Sequence, residues 1–276
     1  MLENLKLMMT PEFIKYILVP ALIGGASVTL CSALLGVSLV LKRYSMIGDG
    51  LSHVGFGALS VAAVMNLAPL KFALPVVIAA AFILLRLNEN NKLKGDSAIA
   101  VFSTTALAIG ILVSSKAGLT NDVSHYMFGS ILAMDKDDVI LSVILSVIVL
   151  AAFLLFYNKI FAVTFDESFS RATGTNVSLY NMLIALLTAI TVVLGMMMMG
   201  ALLISSLIIF PAITSMRLCK SFKGVIISSG VISIICFFTG IFISLLLDSA
   251  PGASIVVVNA AVYAISSAIG AFKNRI

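Results

Sequence analysis

A chain of 276 residues in which 61% are hydrophobic and 11% are Asp, Glu, Lys or Arg, with a mean hydropathy of +1.18, is not composed like a soluble domain of that length. Its formal net charge of +5 comes from basic residues set between long apolar runs, so it bears on membrane orientation rather than on nucleic acid. Three cysteines, Cys31, Cys219 and Cys236, stand in apolar stretches without CxxC spacing, which argues against a disulfide framework or a thiolate metal site and leaves them as helix-packing residues.

In chain order, the first dozen residues, with Lys6, Pro11 and Glu12, lead into an apolar run too long for a secretory signal, so the first span is expected to stay in the mature protein. Hydropathy and polar breaks predict spans of about 14 to 40, 48 to 66, 70 to 87, 96 to 115, 138 to 158, 178 to 197, 199 to 216, 224 to 247 and 254 to 272. Between the fourth and fifth, Asp122 to Met134 (DVSHYMFGSILAM) is helical in character but too short to cross a bilayer at about 1.5 Å per residue. It is predicted to dip into a pathway, where protein or a cavity shields its backbone. The acidic Asp135, Asp137 and Asp138 follow, a solvated loop or a source of attraction for cations. Gly195 to Gly200, with four methionines between, predicts a short hairpin turn; consecutive methionines point in different directions on a helix, which favours apolar packing over metal ligation.

The expected fold is therefore all-α, a polytopic transmembrane bundle of eight or nine spans plus a short pathway helix, in one domain over residues 1–276. With the N-terminus outside, Lys42, Arg43, Arg86, Lys92, Lys94, Lys159, Arg171, Arg217, Lys220, Lys223, Lys273 and Arg275 lie inside, and only Lys6, Lys15, Lys71, Lys116 and Lys136 outside. The positive-inside rule selects this orientation and puts the C-terminus in the cytoplasm.

Absences narrow the function. Without a Gly-Lys dipeptide there is no P-loop, so the chain does not supply the usual nucleotide site itself. HExxH, GxSxG, an Arg-rich span and a TVGYG-like filter are missing too, which disfavours hydrolysis, voltage sensing and potassium selectivity. A non-enzymatic transporter subunit powered by a partner becomes the leading class.

Asp49 and His53 then stand out. Ionisable groups at membrane depth are expensive, and at i and i+4 these two share a helix face. A carboxylate oxygen and an imidazole nitrogen suit zinc, manganese or ferrous iron, and so small a ligand set lets an ion leave as well as enter. The alternatives are an N-cap role for Asp49, between Gly48 and Gly50, and a carbonyl-bonded His53. Ser52 either orients a ligand or bonds back to its own helix.

Met46 to Ala58 (MIGDGLSHVGFGA) resembles the GDxLSH signature of the metal-type ABC transporter permeases, and four further stretches are similar to that family in the same order. They are Lys94 to Gly110, Tyr126 to Ala133, Gly200 to Ala212 and Asp248 to Val258. The resemblance implies a helical permease that forms a homodimer in a bacterial inner membrane. A cytosolic ABC ATPase and an extracellular or periplasmic metal-binding protein would complete the complex. The cargo would be zinc or manganese, with iron possible, and no permanently bound cofactor is implied. His125, with Asp122 three residues before it, departs from the family pattern and stands as a further candidate metal contact, with an outer-gate or solvent-exposed place as its default. Within Thr164 to Asn176, Glu167 and Gly174 resemble the spacing of the ABC permease coupling motif, so Asp166, Glu167, Arg171 and Gly174 are expected to dock the ATPase. In Gly200 to Ala212, Ser205, Ser206 and Pro211 soften a pathway or packing helix. The competing readings are a permease for a larger chelate such as cobalamin or a siderophore, and a non-ABC channel or membrane scaffold.

Overall fold

Apolar runs of 18 or more residues can satisfy their backbone in hydrocarbon by coiling into helices, and those among the described residues do so. The computed structural model describes residues 18–89, 95–118 and 136–273, with no strand among them. The helices are α1 (Val19–Leu41), α2 (Ile47–Val64), α3 (Pro69–Glu89), α4 (Gly95–Ala117), α5 (Lys136–Leu155), α6 (Tyr157–Phe165), α7 (Glu167–Ala172), α8 (Val177–Met199), α9 (Ala201–Leu218), α10 (Phe222–Leu247) and α11 (Pro251–Lys273). Eight of these are long and apolar enough to cross a membrane, and α5 with α6, bent by 68°, makes a ninth if the pair counts as one span. The expected short helix at 122–134 lies outside the described residues.

Two boundaries differ from the sequence reading. The predicted span to residue 158 ends at Leu155, and the chain turns at Phe156 because Tyr157, Phe161 and Phe165 form one face of α6. These rings lie 5.7, 4.9 and 5.6 Å, centroid to centroid, from Phe222 at the start of α10. The predicted turn over Gly195 to Gly200 contracts to Gly200 alone. Methionine is a good helix former, so α8 runs on through Met199, and only Gly200, at φ +87°, takes the left-handed backbone that breaks it. Met196, Met198 and Met199 are fully buried packing residues, as is Cys31.

Helices α1, α2 and α8 form the interior, whereas α4 and α11 turn most of their surface outward. Where every helix is apolar, association depends on close packing and on hydrogen bonds between helices. Both occur here. A Cβ on Gly36 would lie 2.0 Å from the Ile208 carbonyl oxygen, so α1 and α9 touch backbone to backbone; Gly57 likewise meets the Ala106 carbonyl oxygen at 2.5 Å, joining α2 to α4. Ser229 and Ser233 of α10 donate to the Ala33 and Thr29 carbonyls of α1 at 3.1 and 3.2 Å. At the far end of α9, Arg217 donates to Ser267 (3.0 Å) and to the Tyr263 hydroxyl (3.2 Å) of α11, and its guanidinium lies 5.1 Å from the Tyr263 ring centre.

The Gly36 contact is testable. A carbonyl on a helix backbone cannot step aside, so Gly36→Ala should destabilise by about 1–3 kcal/mol, the usual cost of overpacking. Thermal unfolding in detergent should show a lower midpoint for Gly36→Ala and no change for Ile227→Ala, an outward-facing control.

Candidate functional site

Helix α2 begins after Met46, which caps it without a side-chain bond, so Asp49 falls at the third helical position rather than at the N-cap. An acid there still gains from the positive end of the helix dipole. Its carboxylate reaches a neighbouring helix: Oδ1 accepts from the Ser205 hydroxyl of α9 at 3.0 Å, and Oδ2 lies 3.6 Å from His53 Nε2. That second distance is too long for a good hydrogen bond, so the two atoms converge on common space without saturating each other. His53 Nδ1 is buried with no partner among the described residues, so its ring is not bonded to a carbonyl there. Ser52 donates to the Asp49 backbone carbonyl at 2.7 Å, the local role, and does not touch the ligand atoms.

The site therefore draws on two helices. Asp49 and His53 sit one turn apart on α2, Ser205 faces them from α9, and the acid and imidazole side chains are 39% and 25% exposed. This accessibility lets a small ion reach both. Among the described residues no group of three or more His, Cys, Asp or Glu side chains gathers around one point, so the protein offers a partial ligand set. Ser205, 156 residues from Asp49, is the member that sequence reasoning placed only in a softened helix. His125, Asp122 and Asp135 lie outside the described residues; Asp137 and Asp138 open α5.

The second constellation lies where the ends of α1 and α8 meet α7. Asp166 caps α7, accepting from the Phe169 backbone N–H at 2.8 Å, and Gly174 ends it with φ +81°. Arg171 is exposed in the last turn. Glu167 instead reaches across to α1 and α8. Its Oε1 is 2.7 Å from Lys42 Nζ and accepts from Asn181 Nδ2 at 3.2 Å, while Lys42 Nζ also donates to Asn181 Oδ1. Burial pushes the Glu167 carboxyl upward, but the Lys42 ammonium, the Asn181 amide and the charge of Arg171 outweigh it and hold the group below its ordinary value. Beside this triangle an open recess of about 490 Å³ is lined by Glu167, Ser168, Arg171 and Ala172. Phe165 and Phe169 are exposed close by in sequence, at 59% and 65%.

The sequence model of the ABC 3 transport family matches residues 14–270. The chain belongs to that family. Relatives include the manganese import system permease protein ScaB of Streptococcus gordonii, 28% identical over 94% of this chain and 95% of that one. The high-affinity zinc uptake system membrane protein ZnuB of Haemophilus influenzae is 27% identical over 91% of this chain and 96% of its own length. Among solved structures, PsaBC from Streptococcus pneumoniae in complex with Fab superposes with a TM-score of 0.83 at 27% identity, over 96% of this chain and 94% of that one. An inward-facing putative metal-chelate type ABC transporter, at 14% identity and TM-score 0.75, shares the fold. The ABC 3 family member described here is thus a multi-pass membrane permease of the ABC type.

The Glu167 triangle has a defined pH response. A carboxyl held below its ordinary value of 4.5 stabilises the folded state fully above that value and loses this contribution as pH falls through the lowered one. Glu167→Gln leaves the Lys42 ammonium without its counter-charge, so it should unfold at lower temperature than wild type at neutral pH. The gap between the two melting midpoints should close as pH drops below the ordinary glutamate range; a gap independent of pH would contradict this assignment.

Proposed function

We propose that this chain is the membrane-spanning permease subunit of an ABC importer for a divalent transition metal, zinc or manganese with ferrous iron also accommodated, driven by ATP hydrolysis in a separate cytosolic subunit. The observation that carries the proposal is the convergence of Asp49, His53 and Ser205 inside the bundle. One carboxylate oxygen and one imidazole nitrogen bind such ions, and the Ser205 hydroxyl orients the carboxylate from outside the pair. Water or further side chains complete the coordination, so the ion is held loosely enough to move on. The relatives named for manganese and zinc import support the cargo class, and ligand type alone does not separate the metals.

The ATPase docks on the α7 face through the recess beside Arg171, with Asp166 and Gly174 shaping the helix that presents it. Exposed Phe165 and Phe169 give that surface an apolar component. The proximity of Lys42 to Glu167 supports the expected orientation, because the charge distribution assigns both stretches to the cytoplasm. The C-terminus then lies inside, in a bacterial cytoplasmic membrane. The functional unit is one permease domain per chain, paired as a homodimer and served by a metal-binding protein on the outer side. Family membership over residues 14–270 sets aside the non-ABC channel and scaffold readings.

In proteoliposomes holding the full complex, Asp49→Ala and His53→Ala should each abolish uptake of radiolabelled zinc or manganese while the ATPase still co-purifies. Ser205→Ala, which frees the carboxylate without removing a ligand, should weaken apparent metal affinity by about 10-fold. Wild-type uptake by both Asp49→Ala and His53→Ala would defeat the assignment.

A further inference from the structure

An ammonium is costly to bury, yet the Lys42 side chain is only 5% exposed at the end of α1, where a lysine could reach water freely. It is held by Glu167 of α7 and by Asn181 in the second turn of α8, itself 3% exposed. The three polar heads close a triangle, since Asn181 Nδ2 also donates to the Glu167 oxygen that Lys42 holds. The short helix that carries the docking residues is therefore tied to α1 by the Lys42 ammonium and to α8 by the Asn181 amide.

What lies beyond that cation is the metal-carrying helix. Only Arg43 to Met46 separate Lys42 from α2, and this turn is stiffened by its own hydrogen bonds. The Tyr44 N–H donates to the Leu39 carbonyl at 2.8 Å, and the Ile47 N–H donates to the Tyr44 carbonyl at 3.0 Å. A cavity of about 10 Å³, room for about one water, is lined jointly by Lys42 and Asn181 and by Ile47 and Leu51 from the first turns of α2. Asp49 sits on those turns. Near α7, the aromatic face of α6 also packs on Phe222 of α10, and Phe156 packs edge-on against Tyr180 of α8.

We propose that Lys42 is a positioning residue that couples the ATPase-facing helix to the cation pair: through Glu167 and Asn181 it passes the movement of α7 to the first turn of α2. This rests on the transporter reading given above. Lys42 touches no cargo, so its loss acts on the linkage between hydrolysis and transport, not on cation affinity.

The test is the amount of zinc or manganese moved per ATP hydrolysed by the complete complex in proteoliposomes. In Lys42→Met the ATPase should still co-purify, while cation moved per ATP falls about 10-fold, the scale of a typical coupling free energy. Lys42→Arg, which keeps charge and donors, should stay near the wild-type ratio. Asn181→Ala, which leaves the ion pair but removes the bridge to α8, should fall between the two. An unchanged ratio in Lys42→Met overturns the proposal. So does loss of ATPase association in both Lys42→Met and Asn181→Ala without recovery in Lys42→Arg, since that assigns the triangle to assembly alone. A wild-type complex that moves neither cation refutes the transport reading instead, a result separate from an unchanged ratio in an active complex.

Discussion

A charge withdrawn from water into a helical bundle persists only with a partner, and the rest of this structure is arranged around that constraint. It is met in two ways, seven residues apart. Lys42, almost fully enclosed, is fixed by short contacts to Glu167 and Asn181. Asp49 and His53 are more open, stand 3.6 Å apart and, among the described residues, share only one close interhelical hydrogen bond, from Ser205. The first arrangement holds one geometry. The second leaves lone pairs available to a guest, which suits a site that must bind and release.

The surrounding bundle makes both arrangements possible by close backbone contact. Gly36 and Gly57 let neighbouring helices meet carbonyl to Cα, and serines on α10 bond directly to carbonyls of α1. Hydrocarbon supplies little drive for apolar helices to associate, so these contacts and the fit of Met196, Met198 and Met199 hold α8 and α9 where Ser205 can face α2. The site is thus a product of helix packing, not of one segment.

Much of the fold was legible because spanning a bilayer imposes length and hydropathy on each helix separately. Residues such as Phe156 and Gly200 refine this picture locally, and their effects depend on details a hydropathy window averages away: the aromatic grip of Phe222 on α6, and a left-handed backbone at one glycine. The Asp49 and His53 pair was visible as an i, i+4 spacing in an apolar run, and four of the five family-like stretches fall on described helices and their ends. Ser205 was not visible as a partner, because nothing in the sequence pairs positions 156 residues apart. Lys42 showed only as one more cytoplasmic positive charge, and Glu167 as a docking residue. Their pairing joins α7 to α1 across 125 residues of sequence, which is tertiary information.

X-ray absorption spectroscopy of the purified complex loaded with one equivalent of zinc would identify the atoms that surround the cargo ion. Cargo held by Asp49 and His53 should show oxygen and nitrogen neighbours, with the multiple scattering of an imidazole that disappears in His53→Ala. A first shell containing sulfur, pointing to the α8 methionines or to a cysteine, or an imidazole signature that survives in His53→Ala, would contradict the account.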